Sequence, residues 1–339
     1  MRPCHALGER FFGKRRPMNI AVVIPAYNEA LTIADTIADF ASATPECSVV
    51  VVDNNSKDET YSLARKALEK LGPRGRLISE PRQGKSNAVR RAFSEVEADV
   101  FVMVDADCTY AASDLEKLVA PVLAGEADMT VGDRHSSGDY ARENHRAFHT
   151  AGNDGVRKLI NVLFNTQLRD ILSGYRCFSA QFVKNFPILS GGFELETELT
   201  LHALEMRFRI QEIPISYRDR PEGSVSKLNT YKDGFRVINA IFAILRYSRP
   251  LRFFSAIAAI LFLLGAAIGA APVIEFYRTN RILHLPAAVL ATGLMICSLI
   301  NVAIGAILDM VAREGRKAYE LRLLSWRPTP PAAPKPGER

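Results

Sequence analysis

Cysteine is scarce in this chain of 339 residues, and none of the five, Cys4, Cys47, Cys108, Cys177 and Cys297, stands in a C-x-x-C pair. That excludes a zinc ribbon or a disulfide framework and fits a reducing compartment. No G-x-G-x-x-G follows the first apolar run and no G-x-x-x-x-G-K-[ST] occurs anywhere. A dinucleotide dehydrogenase and the common ATPase loop are thereby set aside. The net charge of +6 is not laid out as a basic stripe interleaved with aromatics in the polar part of the chain, so no nucleic-acid partner is expected. Residues 1–17 are a basic extension without the apolar core of a secretory signal, and Met18 stands as an alternative start. Charge itself is missing from two stretches, Phe253 to Ile274 and Pro286 to Leu308, which hold no Asp, Glu, Lys or Arg. Each is long enough to cross the hydrocarbon core as a helix, which predicts two transmembrane helices within 253–308.

Charge returns on either side of those stretches. Arg236, Arg246, Arg249 and Arg252 precede the first, and Arg313, Arg316, Lys317, Arg322 and Arg327 follow the second. The connection between them holds Arg278 and Arg281 against Glu275. By the positive-inside rule, the region of residues 18–230 and both termini face the cytoplasm and the connection faces out. Segment 231–252 alternates Phe235, Val237, Ile238, Ile241, Phe242 and Leu245 with Lys232, Arg236, Arg246 and Arg249. That pattern suits an amphipathic helix lying in the headgroup layer, where it would hold the domain of residues 18–230 at the bilayer surface. Residues 309–339 read as a basic, Pro-rich cytoplasmic tail.

Within 18–230, short apolar runs alternate with helical patterns. Ile20 to Ile24, Val49 to Val52, Leu77 to Ser79 and Val100 to Val104 are strands, with helices over 30–40, 60–71, 88–96 and 113–123. Continuous apolar runs imply a mostly parallel, Rossmann-like sheet covered by helices on both faces, an α/β fold. Ligands of such sheets bind beyond the carboxyl ends of the strands. Pro25 to Glu29, Asp53 to Ser56, Arg82 to Lys85 and Asp105 to Asp107 all fall there. The last of these closes the run Val100-Phe101-Val102-Met103-Val104-Asp105-Ala106-Asp107. Its D-x-D spacing lets two carboxylates address one point and suits Mg2+ or Mn2+ shared with phosphate oxygens.

These residues carry a resemblance. Val23-Ile24-Pro25-Ala26-Tyr27-Asn28-Glu29, Val51-Val52-Asp53-Asn54-Asn55-Ser56-Lys57-Asp58-Glu59-Thr60, Gly84-Lys85, Asp105-Ala106-Asp107, Gly132-Asp133-Arg134, Ser173-Gly174-Tyr175-Arg176 and the run Arg220 to Leu228 occur in that order. The chain resembles the family 2 glycosyltransferases with a GT-A fold, and among them the polyprenyl-phosphate glycosyltransferases, the group of dolichol-phosphate mannose synthase and related bacterial enzymes. The resemblance implies a metal-dependent enzyme that moves a hexose, with inversion, from UDP or GDP to an undecaprenyl or dolichyl phosphate. Pro25, Ala26, Tyr27, Glu29 and Asp53 would line the nucleoside pocket, with Lys85 near the diphosphate. Asp105 and Asp107 would hold the metal, with Asp105 also touching the nucleotide. Arg134, Arg146 and Arg220 would position the acceptor phosphate for catalysis, with Ser226 and Lys227 beside them. A lipid monophosphate has a second pKa of about 6, so it needs positioning more than deprotonation.

Two departures matter. Asn54 stands where many relatives have a second Asp, and the segment from Arg220 to Lys227 is one residue longer than in the dolichol enzymes. The processive synthases' Q-x-x-R-W motif is missing; Ser325-Trp326-Arg327 does not match it. Glu194, Glu196 and Glu198 form an acidic cluster whose role the sequence leaves open, since on a helix Glu196 points away from the other two. Two rival functions stand beside the leading one: transfer to a sugar hydroxyl of a lipid-linked glycan, and a catalytically silent membrane scaffold. Homo-oligomer formation is left open.

Overall fold

The computed structural model describes residues 18–136, 147–187, 195–218, 242–247, 249–281 and 284–326, without the side chains of 147–153. The chain divides into two compact units, one holding the sheet through Gly234 and one spanning Phe235–Ser325.

The first unit alternates strand and helix from its start. β1 (Ile20–Ala26), α1 (Ile33–Ala43), β2 (Ser48–Asp53), α2 (Thr60–Glu69), β3 (Gly75–Ser79), α3 (Lys85–Glu95) and β4 (Val100–Met103) follow one another. Next come α4 (Leu115–Leu123), β5 (Met129–Asp133), α5 (Ala147–Phe164), β6 (Arg176–Ser179), α6 (Ala180–Asn185), α7 (Leu195–Glu205) and β7 (Ile210–Pro214). The seven strands lie in the order β3-β2-β1-β4-β6-β5-β7. All neighbouring pairs run parallel except those of β6, which opposes both β4 and β5.

The apolar runs are continuous because both faces are covered, as successive strand side chains point to opposite sides. Val22, Ile24, Val49, Val51, Val100 and Val102 pack with Ile33, Ile37 and Phe40 of α1 and Leu115 and Leu118 of α4. The alternate set, Ala21, Val23, Val50, Val52, Phe101 and Met103, packs with Ala88, Val89, Ala92 and Phe93 of α3 and Leu195 and Leu199 of α7. Parallel pairing carries the ends of β1, β2, β4 and β5 to one edge of the sheet. The reversed β6 delivers its first residues, just after Ser173-Gly174-Tyr175, to that same edge.

The second unit is a helical hairpin of α8 (Pro250–Thr279) and α9 (Leu285–Ser325), closed by Asn280 in the left-handed region at φ 51°. Both helices are long and apolar enough to cross a membrane, and only 17% and 11% of their most apolar windows are buried. Ala258, Gly265 and Pro272 of α8 and Ala291, Ser298 and Gly305 of α9 are their buried residues along the contact, repeating every seven positions. Small residues at that period let two backbones approach closely, and the Ser298 hydroxyl donates across to the Ala258 carbonyl at 2.8 Å. The second apolar stretch does not end as a helix at Leu308. Asp309 to Ser325 continues it, being rich in Ala, Arg, Glu, Lys and Leu and supported by pairs such as Arg313–Asp309 at 2.7 Å. Of the expected amphipathic helix at 231–252, only 242–247 and 249–252 lie within the described residues, and 242–247 is helical. Residues 1–17 and 327–339 lie outside them.

Candidate active site

The loops after β1 and β2 are sewn together. The Asn28 amide N–H donates to Ser56 Oγ at 3.1 Å, Glu29 N–H to Thr60 Oγ1 at 2.8 Å, and Lys57 N–H to Asn28 Oδ1 at 2.8 Å. Asn28 and Asn55 both sit in the left-handed region, which asparagine tolerates better than most residues. Pro25, Ala26, Tyr27 and Glu29 are thus held beside Asp53. Asp53 is 4% exposed, and its Oδ2 accepts the Ser56 N–H at 3.3 Å. Its Oδ1 is buried with no hydrogen-bond partner among the described residues. A buried acceptor without a donor costs about 1–3 kcal/mol, so this oxygen is suited to an N–H brought by a ligand.

The D-x-D pair turns between its carboxylates. The carbonyl of Ala106 accepts from Thr32 Oγ1 at 2.7 Å and Thr36 Oγ1 at 3.2 Å of the segment opening α1, and Cys108 is left-handed at φ 60°. Asp107 is buried, with its Oδ1 accepting from Thr109 Oγ1 at 2.6 Å and Thr109 N–H at 3.2 Å. Asp105 remains 29% exposed along its side chain and meets the Lys85 ammonium at 2.5 Å. The same ammonium reaches Glu196 Oε1 of α7 at 2.5 Å. Burial disfavours the charged amine, but the two carboxylates outweigh it and hold Lys85 protonated, with its pKa raised above the ordinary lysine range.

The donor set fits a hard cation, since Asp105 and Asp107 offer oxygens only. Among the described residues no third His, Cys, Asp or Glu joins them in a metal-sized group. Mg2+ or Mn2+ would therefore draw its remaining ligands from phosphate and water. Gly174 makes room for Asp105: a Cβ there would run into Oδ2 of that carboxylate. The Gly174 N–H is fixed at 2.9 Å by the hydroxyl of Tyr110.

Arg134, just past β5, is partly committed. Its Nε and Nη2 form a fork on Asp170 at 2.7 and 2.9 Å, and its guanidinium lies 5.6 Å from the Tyr217 ring centre. Asp170 is buried, which would raise its pKa, but the Arg134 fork wins and lowers it. Arg146, Arg220, Ser226 and Lys227, the rest of the expected acceptor set, lie outside the described residues, as does Glu194.

Sequence reasoning left Glu196 unassigned, yet it stands in the site. Its position depends on Arg176, a fully buried arginine that no rule of composition anticipates. Arg176 donates to the Ser173 carbonyl at 2.8 Å, the Ile171 carbonyl at 2.6 Å and Thr200 Oγ1 at 2.9 Å. Thr200 Oγ1 in turn donates to the Glu196 carbonyl at 2.9 Å. Burial depresses the Arg176 pKa to about 10. The only signal in the sequence was the S-G-Y-R run itself.

A mostly parallel sheet with one reversed strand and a D-x-D turn at its carboxyl edge defines a GT-A-like glycosyltransferase. The chain belongs to glycosyl transferase family 2, whose family model matches residues 21–186. Among its relatives, glycosyltransferase AglJ of Haloferax volcanii is 30% identical over 245 residues, covering 71% of this chain and 77% of that one. Polyprenol monophosphomannose synthase of Mycolicibacterium smegmatis is 28% identical, covering 61% of this chain and 80% of that one. Among solved structures, glucosyl-3-phosphoglycerate synthase of Mycobacterium tuberculosis, in complex with Mn2+, UDP and its product, shares the fold at a TM-score of 0.53. That match is 22% identical and covers 72% of this chain and 85% of the other.

Proposed function

We propose that this glycosyltransferase moves a hexose from a nucleoside-diphosphate sugar to a polyprenyl phosphate, with inversion, at the cytoplasmic face of a membrane. The observation that carries the reading is the meeting, at one sheet edge, of an open acceptor on Asp53, the Lys85 ammonium and the Asp105–Asp107 pair. The first suits a base N–H, the second a diphosphate and the third a divalent cation. The name of the mycobacterial relative, a polyprenol monophosphomannose synthase, supports the lipid acceptor.

In this mechanism Asp105 and Asp107 would hold Mg2+ or Mn2+, and that ion would neutralise charge on the departing diphosphate. Lys85 adds a mobile positive charge on the diphosphate. A phosphate oxygen of the acceptor forms a bond to the sugar's anomeric carbon on the face opposite the diphosphate, as the carbon–oxygen bond to the diphosphate breaks. No proton need be removed from a dianionic phosphate. Arg134, with Arg146, Arg220, Ser226 and Lys227, orients that phosphate and offsets its charge. The ion pair of Glu196 with Lys85 supports the reading, since it gives the ammonium a counter-charge within the site.

The test is transfer of radiolabelled sugar from a panel of UDP- and GDP-hexoses into extractable lipid, using membranes that contain the full chain. EDTA and Asp107→Ala are each expected to lower transfer by at least a hundredfold. Undiminished activity in both removes the metal role. Failure of undecaprenyl and dolichyl phosphate as acceptors, with success of a lipid-linked saccharide, transfers the reading to a sugar hydroxyl.

A further inference from the structure

Asn54 departs from the pattern of the family it resembles, and its surroundings give the departure a use. It is 4% exposed, and its own N–H closes on the Ala26 carbonyl at 2.8 Å, so its position is fixed by the β1–β2 edge. Every polar atom of its side chain is engaged by the turn between β3 and α3. Nδ2 donates to the carbonyls of Arg82 at 2.6 Å and Glu80 at 3.2 Å, and Oδ1 accepts the Gly84 N–H at 2.6 Å. Gly84 sits at φ 125°, a conformation closed to ordinary side chains, and its carbonyl accepts from Asn87 at 2.9 Å to open α3. The next residue is Lys85, which reaches Asp105 and Glu196.

Two carbonyls and one N–H converge on one side chain, and only an amide answers all three. Aspartate has no donor when ionised, so it would satisfy Gly84 and set a charged oxygen against the carbonyls of Glu80 and Arg82. Glutamine is a carbon too long, and serine too short. The buried Glu80 lies within this turn, its carboxylate forked by Arg82 at 2.8 and 2.9 Å and its pKa held down to about 2 by that contact. A second carboxylate beside it would be poorly placed.

We propose that Asn54 is a positioning residue for the donor diphosphate: it shapes the 80–84 turn so that Lys85 stands at the first turn of α3 facing the Asp105–Asp107 pair. The inference rests on the nucleotide-sugar reading above. Asn54 touches no reacting atom in this account; it acts through Lys85.

The experiment is a double-mutant cycle on the full chain in detergent, reading the affinity for UDP and for GDP with Mn2+ by calorimetry. Wild type, Asn54→Asp, Lys85→Met and the double variant are compared, with thermal unfolding run on each. Asn54→Asp is expected to weaken diphosphate binding about tenfold or more, the size of one lost charged contact. In the Lys85→Met background the same change is expected to cost less than threefold, because coupled residues are non-additive. Equal binding by wild type and Asn54→Asp overturns the inference while leaving the donor reading intact. So does a full tenfold loss that persists without Lys85, which would mark a general disturbance of the fold. Wild-type protein that binds neither diphosphate overturns the donor reading and this inference with it. If Asn54→Asp is recovered unfolded, Asn54→Ala, which removes the three contacts without adding charge, replaces it in the same cycle.

Discussion

At the scale of single residues, one group of the site has native surroundings that are unfavourable without a ligand. That group is Asp53, with a carboxylate oxygen shut away from water and nothing donating to it among the described residues. Such an oxygen lowers stability in exchange for affinity, and that exchange predicts a double signature. Asp53→Asn keeps the shape of the side chain and removes the charge. Nucleoside-diphosphate binding with Mn2+ should weaken by about tenfold to a hundredfold, the range of a charge-assisted hydrogen bond. The unfolding midpoint should be no lower than that of the wild type. Calorimetry and thermal unfolding on the same preparations check both; a variant that binds as tightly as the wild type removes Asp53 from the pocket.

At the scale of elements, the parallel half of the sheet was legible. Strands β1, β2 and β4 read as unbroken apolar runs, and helices α1 to α4 as the patterns between them. Strand β6 was not, because it is four residues long and opens on the buried Arg176, which pattern reading takes for a surface position. Its reversal is what carries Gly174 to Asp105 and, through Arg176 and Thr200, seats Glu196. A helical wheel sets Glu196 apart from its acidic neighbours but cannot say which face meets the site, since that depends on long-range contacts. The candidate metal pair, Asp53 and Lys85 were legible for the opposite reason: each follows directly from a strand end or opens a helix. The hairpin of the second unit was legible as length and lack of charge, whereas its seam of small residues every seven positions emerged from the packing. A Cβ on Gly305 would approach that of Phe254 to 2.9 Å, while one on Gly293 meets nothing within 4 Å. Gly305→Leu should therefore destabilise the hairpin by about 1–3 kcal/mol, as overpacking does, and Gly293→Leu should change it little. Thermal unfolding in detergent compares the two; equal effects would mean that the seam does not hold the helices together.

For the whole molecule, the distribution of charge around α8 and α9 predicts the side on which the sheet-bearing unit lies. Two spans return the chain to the side it started from, so the sheet-bearing unit and the end of α9 share a compartment if both α8 and α9 cross. Arg246, Arg249 and Arg252 lie before α8 enters its apolar stretch, and Arg313, Arg316, Lys317 and Arg322 follow that of α9. Against these the connection offers Arg278 and Arg281, offset by Glu275. Positive residues near the ends of spans are retained in the cytoplasm. With the native cysteines replaced, Thr279→Cys at the connection should react with a membrane-impermeant maleimide in intact cells. Lys317→Cys, on the exposed continuation of α9, should react only after the membrane is opened. The reverse pattern would place the donor site outside the cytoplasm, and labelling of both in intact cells would mean that the two helices do not both cross.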